Sequence, residues 1–88
     1  MPELSPPDAA KAIAHPLRLA ILERLYDRDA SPVELAREMQ ESLANVSYHV
    51  RALHELGAVA LVRQRQVRGA MEHTYTATVR ITLKQEPL

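Results

Sequence analysis

Ser31-Pro32-Val33-Glu34-Leu35-Ala36-Arg37-Glu38-Met39, then Gln40-Glu41-Ser42, then Leu43-Ala44-Asn45-Val46-Ser47-Tyr48-His49-Val50-Arg51-Ala52-Leu53-His54-Glu55-Leu56-Gly57, reads as two helices joined by a short polar turn. Ser31 stands three residues before Glu34 with Pro32 between them. That is a capping box with proline at the first helical position, and it opens a short helix expected to bury Leu35, Ala36 and Met39. Gln40-Glu41-Ser42 turns the chain. The next helix runs from about Leu43 to Leu56 and is stopped by Gly57, which tolerates the left-handed conformation that ends helices.

The second of these helices separates cleanly on a wheel of 100° per residue. With Val46 as the origin, Val50, Leu53 and Gly57 fall within about 40° and Leu56 near 80°, a stripe expected to pack on the preceding helices. The other side carries Ala44, Asn45, Tyr48, Arg51, Ala52 and Glu55, with Ser47 and His49 flanking the apolar stripe. These are side chains suited to a DNA groove. Asn bonds adenine through N6 and N7, and Arg pairs with guanine or phosphate. Tyr48 can donate to phosphate or lie against a thymine methyl, and the small Ala44 and Ala52 permit close approach. An ordinary solvated face is the competing reading. Such a face is usually richer in Glu and Lys, and Glu55 is the single acid here.

Toward the N-terminus, Ser5-Pro6-Pro7-Asp8 supplies a cap, early prolines and a first-turn acid, so a short helix is expected through about Ala14. Pro16 begins another, with Leu17, Ala20, Ile21 and Leu25 on one face, closed by Asp27-Arg28-Asp29. Toward the C-terminus the period changes from helical to two. Val59, Leu61, Arg63 and Arg65 lead to a loose basic tip across Gln66–Ala70 that includes Arg68 and Gly69, and Glu72–Thr78 returns as a β-branched strand. Val79–Leu83 alternates again, as a third strand or an extended tail. The fold class is α+β, mainly α: three to four helices and a β-hairpin in one domain over 1–88. Two helices across a three- or four-residue turn, followed by a basic hairpin, form a winged helix-turn-helix. Arg63, Arg65, Arg68 and Gly69 of the wing are placed to reach an adjacent minor groove or the flanking backbone. Alternatively, charge there protects an edge strand from aggregation.

Charge distribution agrees with a polyanionic partner although the net charge is zero. Residues 1–41 carry −3, residues 42–70 carry +3, and residues 71–88 balance. Segregation of this kind gives one basic face on an otherwise acidic molecule. Eighty-eight residues without Phe or Trp make a thin core, which favours dimerisation. With no cysteine, disulfides, thiolate metal sites and thiol catalysis are excluded, and a reducing cytosol is compatible. The first residues lack the basic and apolar regions of a signal peptide, and no apolar run reaches membrane-spanning length, so a soluble cytoplasmic protein is expected, nucleoid-associated when on DNA.

From about Ala12 to Thr78 the chain resembles the ArsR-like winged-helix transcription regulators. The residues that carry the likeness are His15-Pro16-Leu17-Arg18-Leu19-Ala20-Ile21-Leu22, Ser31-Pro32-Val33-Glu34-Leu35-Ala36 and Val46-Ser47-Tyr48-His49-Val50-Arg51-Ala52-Leu53, with Leu56-Gly57 and the wing's Arg68-Gly69-Ala70-Met71-Glu72-His73-Thr74-Tyr75. The resemblance implies a homodimer that binds an inverted repeat, a pseudo-palindromic operator, and represses its promoter. Metal-sensing members place a Cys-x-Cys pair before the recognition helix, or His and carboxylates on a C-terminal dimer helix. This chain has neither the cysteines nor a helical pattern after Thr78, so no metal or other cofactor is expected. The dimer interface is instead expected on the first helix, with help from Val79–Leu83.

Catalysis finds no support. His15, His49, His54 and His73 include no i, i+4 pair and no HExxH, and nothing forms a nucleophile elbow, phosphate loop or carboxylate pair. His15 is expected to cap the helix that follows it. His54 is expected to complement its helix dipole, and His49 to face DNA or bridge helices. Two alternatives to a plain DNA-binding repressor remain at this level: a winged-helix protein-interaction module, and a sensor-repressor that answers an effector at the dimer seam.

Overall fold

The computed structural model describes residues 4–79. Its elements are α1 (Pro6–Ala12), α2 (Pro16–Asp27), α3 (Pro32–Met39), α4 (Leu43–Glu55), β1 (Val59–Val67) and β2 (Ala70–Ala77). The first three helices each carry proline in the first turn. The cap of α3 forms as its spacing requires. The Ser31 hydroxyl accepts from the Glu34 amide, and the Glu34 carboxylate accepts from the Ser31 amide at 2.9 Å. That backbone N–H, more than any other influence, holds the Glu34 carboxyl below the usual range. Ser31 is also buried, so Ser31→Ala is expected to lower the unfolding free energy by about 0.5–2 kcal/mol, read as a lower urea midpoint at unchanged slope.

The core joins all the helices to the base of the hairpin. Ala12 of α1, Ile21, Leu22 and Leu25 of α2, Leu35 and Ala36 of α3, Val46, Val50 and Leu53 of α4, and Ala30, Ala58 and Val59 are buried together. Leu22 belongs to this set although helical spacing assigns only Ile21 and Leu25 of these three to the inward face; a wider apolar stripe is needed because α2 packs against both α4 and β2. Leu17 and Met39 are partly buried against it. Gly57 is a correction. Far from continuing the α4 stripe, it is exposed and beyond the helix, with φ of 81°. A side chain there would be strained, and the turn it makes carries Ala58 back to donate to the Leu53 carbonyl.

The hairpin also departs from expectation. Its tip is tight: β1 and β2 pair through Val67 and Ala70, leaving only Arg68 and Gly69 in the turn, with φ of 51° and 81°. Two residues at positive φ match the twist of the flanking strands, which is why the ladder continues to the end. A bulge lies between Leu61 and Arg63. The extra residue, Val62, breaks the simple alternation, so Arg63 and Arg65 share a face with Thr74 and Glu72 rather than with Leu61 and Tyr75. A third chain segment joins β2 at one point: Ala30 and Tyr75 exchange both backbone hydrogen bonds. Of the alternating Val79–Leu83 segment, Val79 packs on the core and the rest lies outside the described residues.

Candidate nucleic-acid interface

The turn between α3 and α4 consists of Gln40, Glu41 and Ser42. Gln40 takes the left-handed conformation, and the Glu41 amide returns to the Ala36 carbonyl. Ser42 then caps α4, its hydroxyl accepting from the Asn45 amide at 3.1 Å. The start of α4 is thereby fixed at its backbone while its outer side chains stay in solvent. Ala44, Asn45, Tyr48, Arg51 and Glu55 are exposed; Ser47, His49 and Ala52 are half-buried. Tyr48 is 61% exposed while Val46, Val50 and Leu53 on the opposite side are at 0%.

His49 occupies the border. Its Nδ1 accepts from Nε of Arg18 at 3.0 Å, and its ring lies 5.1 Å from those of both His15 and Tyr48. Burial first, then the charges of Arg18 and His15, push the imidazole below its ordinary pKa. Of the two roles open to it, the interhelical one is realised through Nδ1. His15 does not cap α2 with its side chain as expected; it occupies the cap position, but the ring turns to His49 instead. His54 sits in the last turn of α4, its ring edge-on to Tyr75 at 5.8 Å.

The wing arginines are all exposed, but not equivalent. Arg65 is directly opposite Glu72 and bonds its carboxylate at 3.1 Å. Arg63 and Arg68 make no ion pair among the described residues, so their charges remain available to a phosphate. The tip stands alongside α3: Val33 and Arg37 line one open cleft with Val67, Arg68, Ala70, Met71 and Glu72. Arg37 therefore reinforces the charge of the wing tip. Sequence reasoning missed it because Arg37 lies in the acidic half of the chain, and only packing brings it to Arg68. Two other arginines of that half, Arg24 and Arg28, share a single carboxylate, Glu38. No group of three or more potential metal ligands occurs among the described residues, and no helix there is long and apolar enough to cross a membrane.

Comparison with known proteins agrees with this architecture. A family model described as a helix-turn-helix domain matches residues 13–62, from the end of α1 into β1. Among solved structures, HlyU from Vibrio cholerae is similar at 29% identity and a TM-score of 0.65, over 82% of this chain and 73% of that one. The transcriptional regulator HlyU from Vibrio vulnificus is 30% identical, with a TM-score of 0.63 over 80% of this chain and 68% of that one. A transcriptional regulator of the ArsR family is 25% identical, with a TM-score of 0.68 over 83% and 75%. No curated protein matches by sequence. The last two of these neighbours are described as transcriptional regulators. With its capped recognition helix, three-residue turn and hairpin wing, the chain belongs to the helix-turn-helix family and is an ArsR-like winged helix-turn-helix transcription regulator.

Proposed function

We propose that this regulator is a cytoplasmic repressor that binds a pseudo-palindromic duplex DNA site as a homodimer, all 88 residues serving as one domain. The observation that carries the reading is the division of α4: Val46, Val50 and Leu53 are sealed in the core while Asn45, Tyr48 and Arg51 stand in solvent. In this proposal Ala44, Asn45, Ser47, Tyr48 and Arg51 meet the major groove, and His49 sets the helix from behind. Arg63, Arg65, Arg68 and Gly69 form the part of the wing that meets the adjacent backbone, with Arg37 beside the tip. Dimerisation through the first helix is supported by α1 burying only Ala12 in its own chain. Two-fold symmetry then places recognition helices in major grooves about 34–36 Å apart. Occlusion of a promoter by such a dimer is the simplest route to repression.

Selection from a random duplex library tests the reading directly: an enriched inverted repeat supports it, and the absence of any enriched duplex rejects it. Arg68 offers a narrower check. Arg68→Ala is expected to weaken binding to all sequences alike and to reduce the slope of log K against log salt by about 0.9, the share of one neutralised phosphate. A slope equal to that of the wild type would remove Arg68 from the interface.

A further inference from the structure

Arg18 is the point at which three helices meet. It lies on α2, far in sequence from His49 and more than a helical turn from Lys11. Its Nη1 donates to the Lys11 carbonyl at 2.8 Å, in the last turn of α1, and its Nε donates to His49 Nδ1 at 3.0 Å, in the middle of α4. The His49 ring in turn meets Tyr48 edge-on, at the boundary of the exposed face. A continuous set of contacts thus runs from the backbone of α1, through one guanidinium, to the ring that projects from α4. We infer that Arg18 is the positioning residue that locks α4 to α1, and that it holds only while His49 is neutral. The inference rests on the DNA-binding reading of α4 and assigns that surface a control element.

The chemistry of the two partners makes the lock conditional. Guanidinium has donors and no acceptor, and neutral imidazole has one acceptor nitrogen. In the structure that acceptor is Nδ1, which places the ring proton on Nε2. Protonation turns Nδ1 into a donor, so the hydrogen bond is lost and two cations are left face to face. The groups around the ring reinforce this. From α2 there is Arg18; from the α1–α2 connection, His15; from α4 itself, Tyr48; and Glu41 of the turn lines the same cleft as His15 and His49. Glu41 is the single carboxylate among them, and no ion pair joins it to His49 among the described residues. Burial and the neighbouring cations already disfavour the charged ring. The sign follows: the lock is fully in place above the ordinary histidine pKa of about 6.5, and it is lost as pH falls through the lower value that the folded protein gives His49. Protonation would therefore detach α4 from the end of α1 and release Tyr48 from its fixed neighbour.

The test uses the full chain and a duplex enriched from a random library at about pH 8, with a scrambled duplex of equal length as reference. The ratio of the two affinities cancels the general gain in DNA attraction that any protonated histidine brings. Measured at about pH 8 and about pH 5.5 at constant ionic strength, the wild-type ratio is expected to fall by at least about threefold as His49 takes up its proton. His49→Asn retains an acceptor near the Nδ1 position but cannot titrate, and its ratio is expected to change less than about twofold. Arg18→Lys keeps the charge but not the two-pronged geometry, and should show the lowered ratio already at about pH 8. Independently of DNA, the Arg18 Nε–H resonance of the free protein should be protected at high pH and lose protection as His49 titrates. Equal pH profiles for wild type and His49→Asn, a wild-type ratio in Arg18→Lys, or an Nε–H resonance indifferent to the titration would each overturn the inference while leaving DNA binding intact. A library that enriches no duplex would instead remove the reading on which it rests.

Discussion

Leu53→Ala is expected to reduce the unfolding free energy by about 2–5 kcal/mol, a large part of the stability a domain of this size can have. Leu53 is completely buried on the inner face of α4, in one cluster with Ile21, Leu22, Leu35, Val46, Val50 and Val59. Its carbonyl also accepts from Ala58, so the backbone at this point anchors the turn into the wing and cannot easily move to close a cavity. Such a domain begins with a small margin, commonly about 5–15 kcal/mol even for larger chains, and it has no Phe or Trp to spread the loss over. Thermal or urea denaturation followed by far-UV dichroism reads the effect directly. A shift corresponding to less than about 1 kcal/mol would show that the core is looser than its burial indicates. Molecules of the variant that remain folded should retain the outer face of α4, so their choice among DNA sequences should be that of the wild type.

Asn45→Ala should do the reverse. Asn45 is exposed, and the part of it that supports the fold is its backbone N–H, held by the Ser42 hydroxyl whatever the side chain. Alanine is the better helix former, so stability should be equal or slightly higher. Loss of the carboxamide removes a group able to bond both N6 and N7 of one adenine, and about 1–3 kcal/mol of discrimination should vanish at one base-pair position in each half-site. Competition binding against duplexes varied one base pair at a time would show it as a single flattened position. If every variant duplex weakens by the same factor, Asn45 contributes to general affinity and does not read a base. Together the two substitutions separate the faces of one helix: Leu53→Ala changes stability without changing preference, and Asn45→Ala changes preference without lowering stability.

These expectations depend on a helix whose two faces are readable from its own thirteen residues, Leu43–Glu55. The wing is different. Its arginines are visible in the sequence as a basic run, yet what each can do is not. Arg65 is held by Glu72 across the ladder, and the bulge after Leu61 turns Arg63 and Arg65 away from the face that simple alternation assigns them. Alternation counts residues, whereas a bulge inserts one without any signature that a run of Val, Arg and Gln provides. The sequence suggests a loose tip across Gln66–Ala70; cross-strand pairing out to Val67 and Ala70 instead tightens it and imposes on Arg68 a positive φ that is uncommon for Arg.

Local chemistry is therefore legible without coordinates. The Ser31–Glu34 box, the helix starts at Pro6, Pro16 and Pro32, the stop at Gly57 and the inward stripe of Val46, Val50 and Leu53 each depend on residues within about one or two helical turns of one another, and such interactions carry their geometry in their spacing. What packing alone decided are the meetings across long stretches of chain: Arg18 with His49, Ala30 with Tyr75, both Arg24 and Arg28 with Glu38, and the placing of Arg37 on the same cleft as Arg68. Many arrangements of the same helices would satisfy every local signal. Which side chains then face one another is set by how the buried surfaces of α2, α4 and the hairpin fit together, a property of the whole core that no single segment contains.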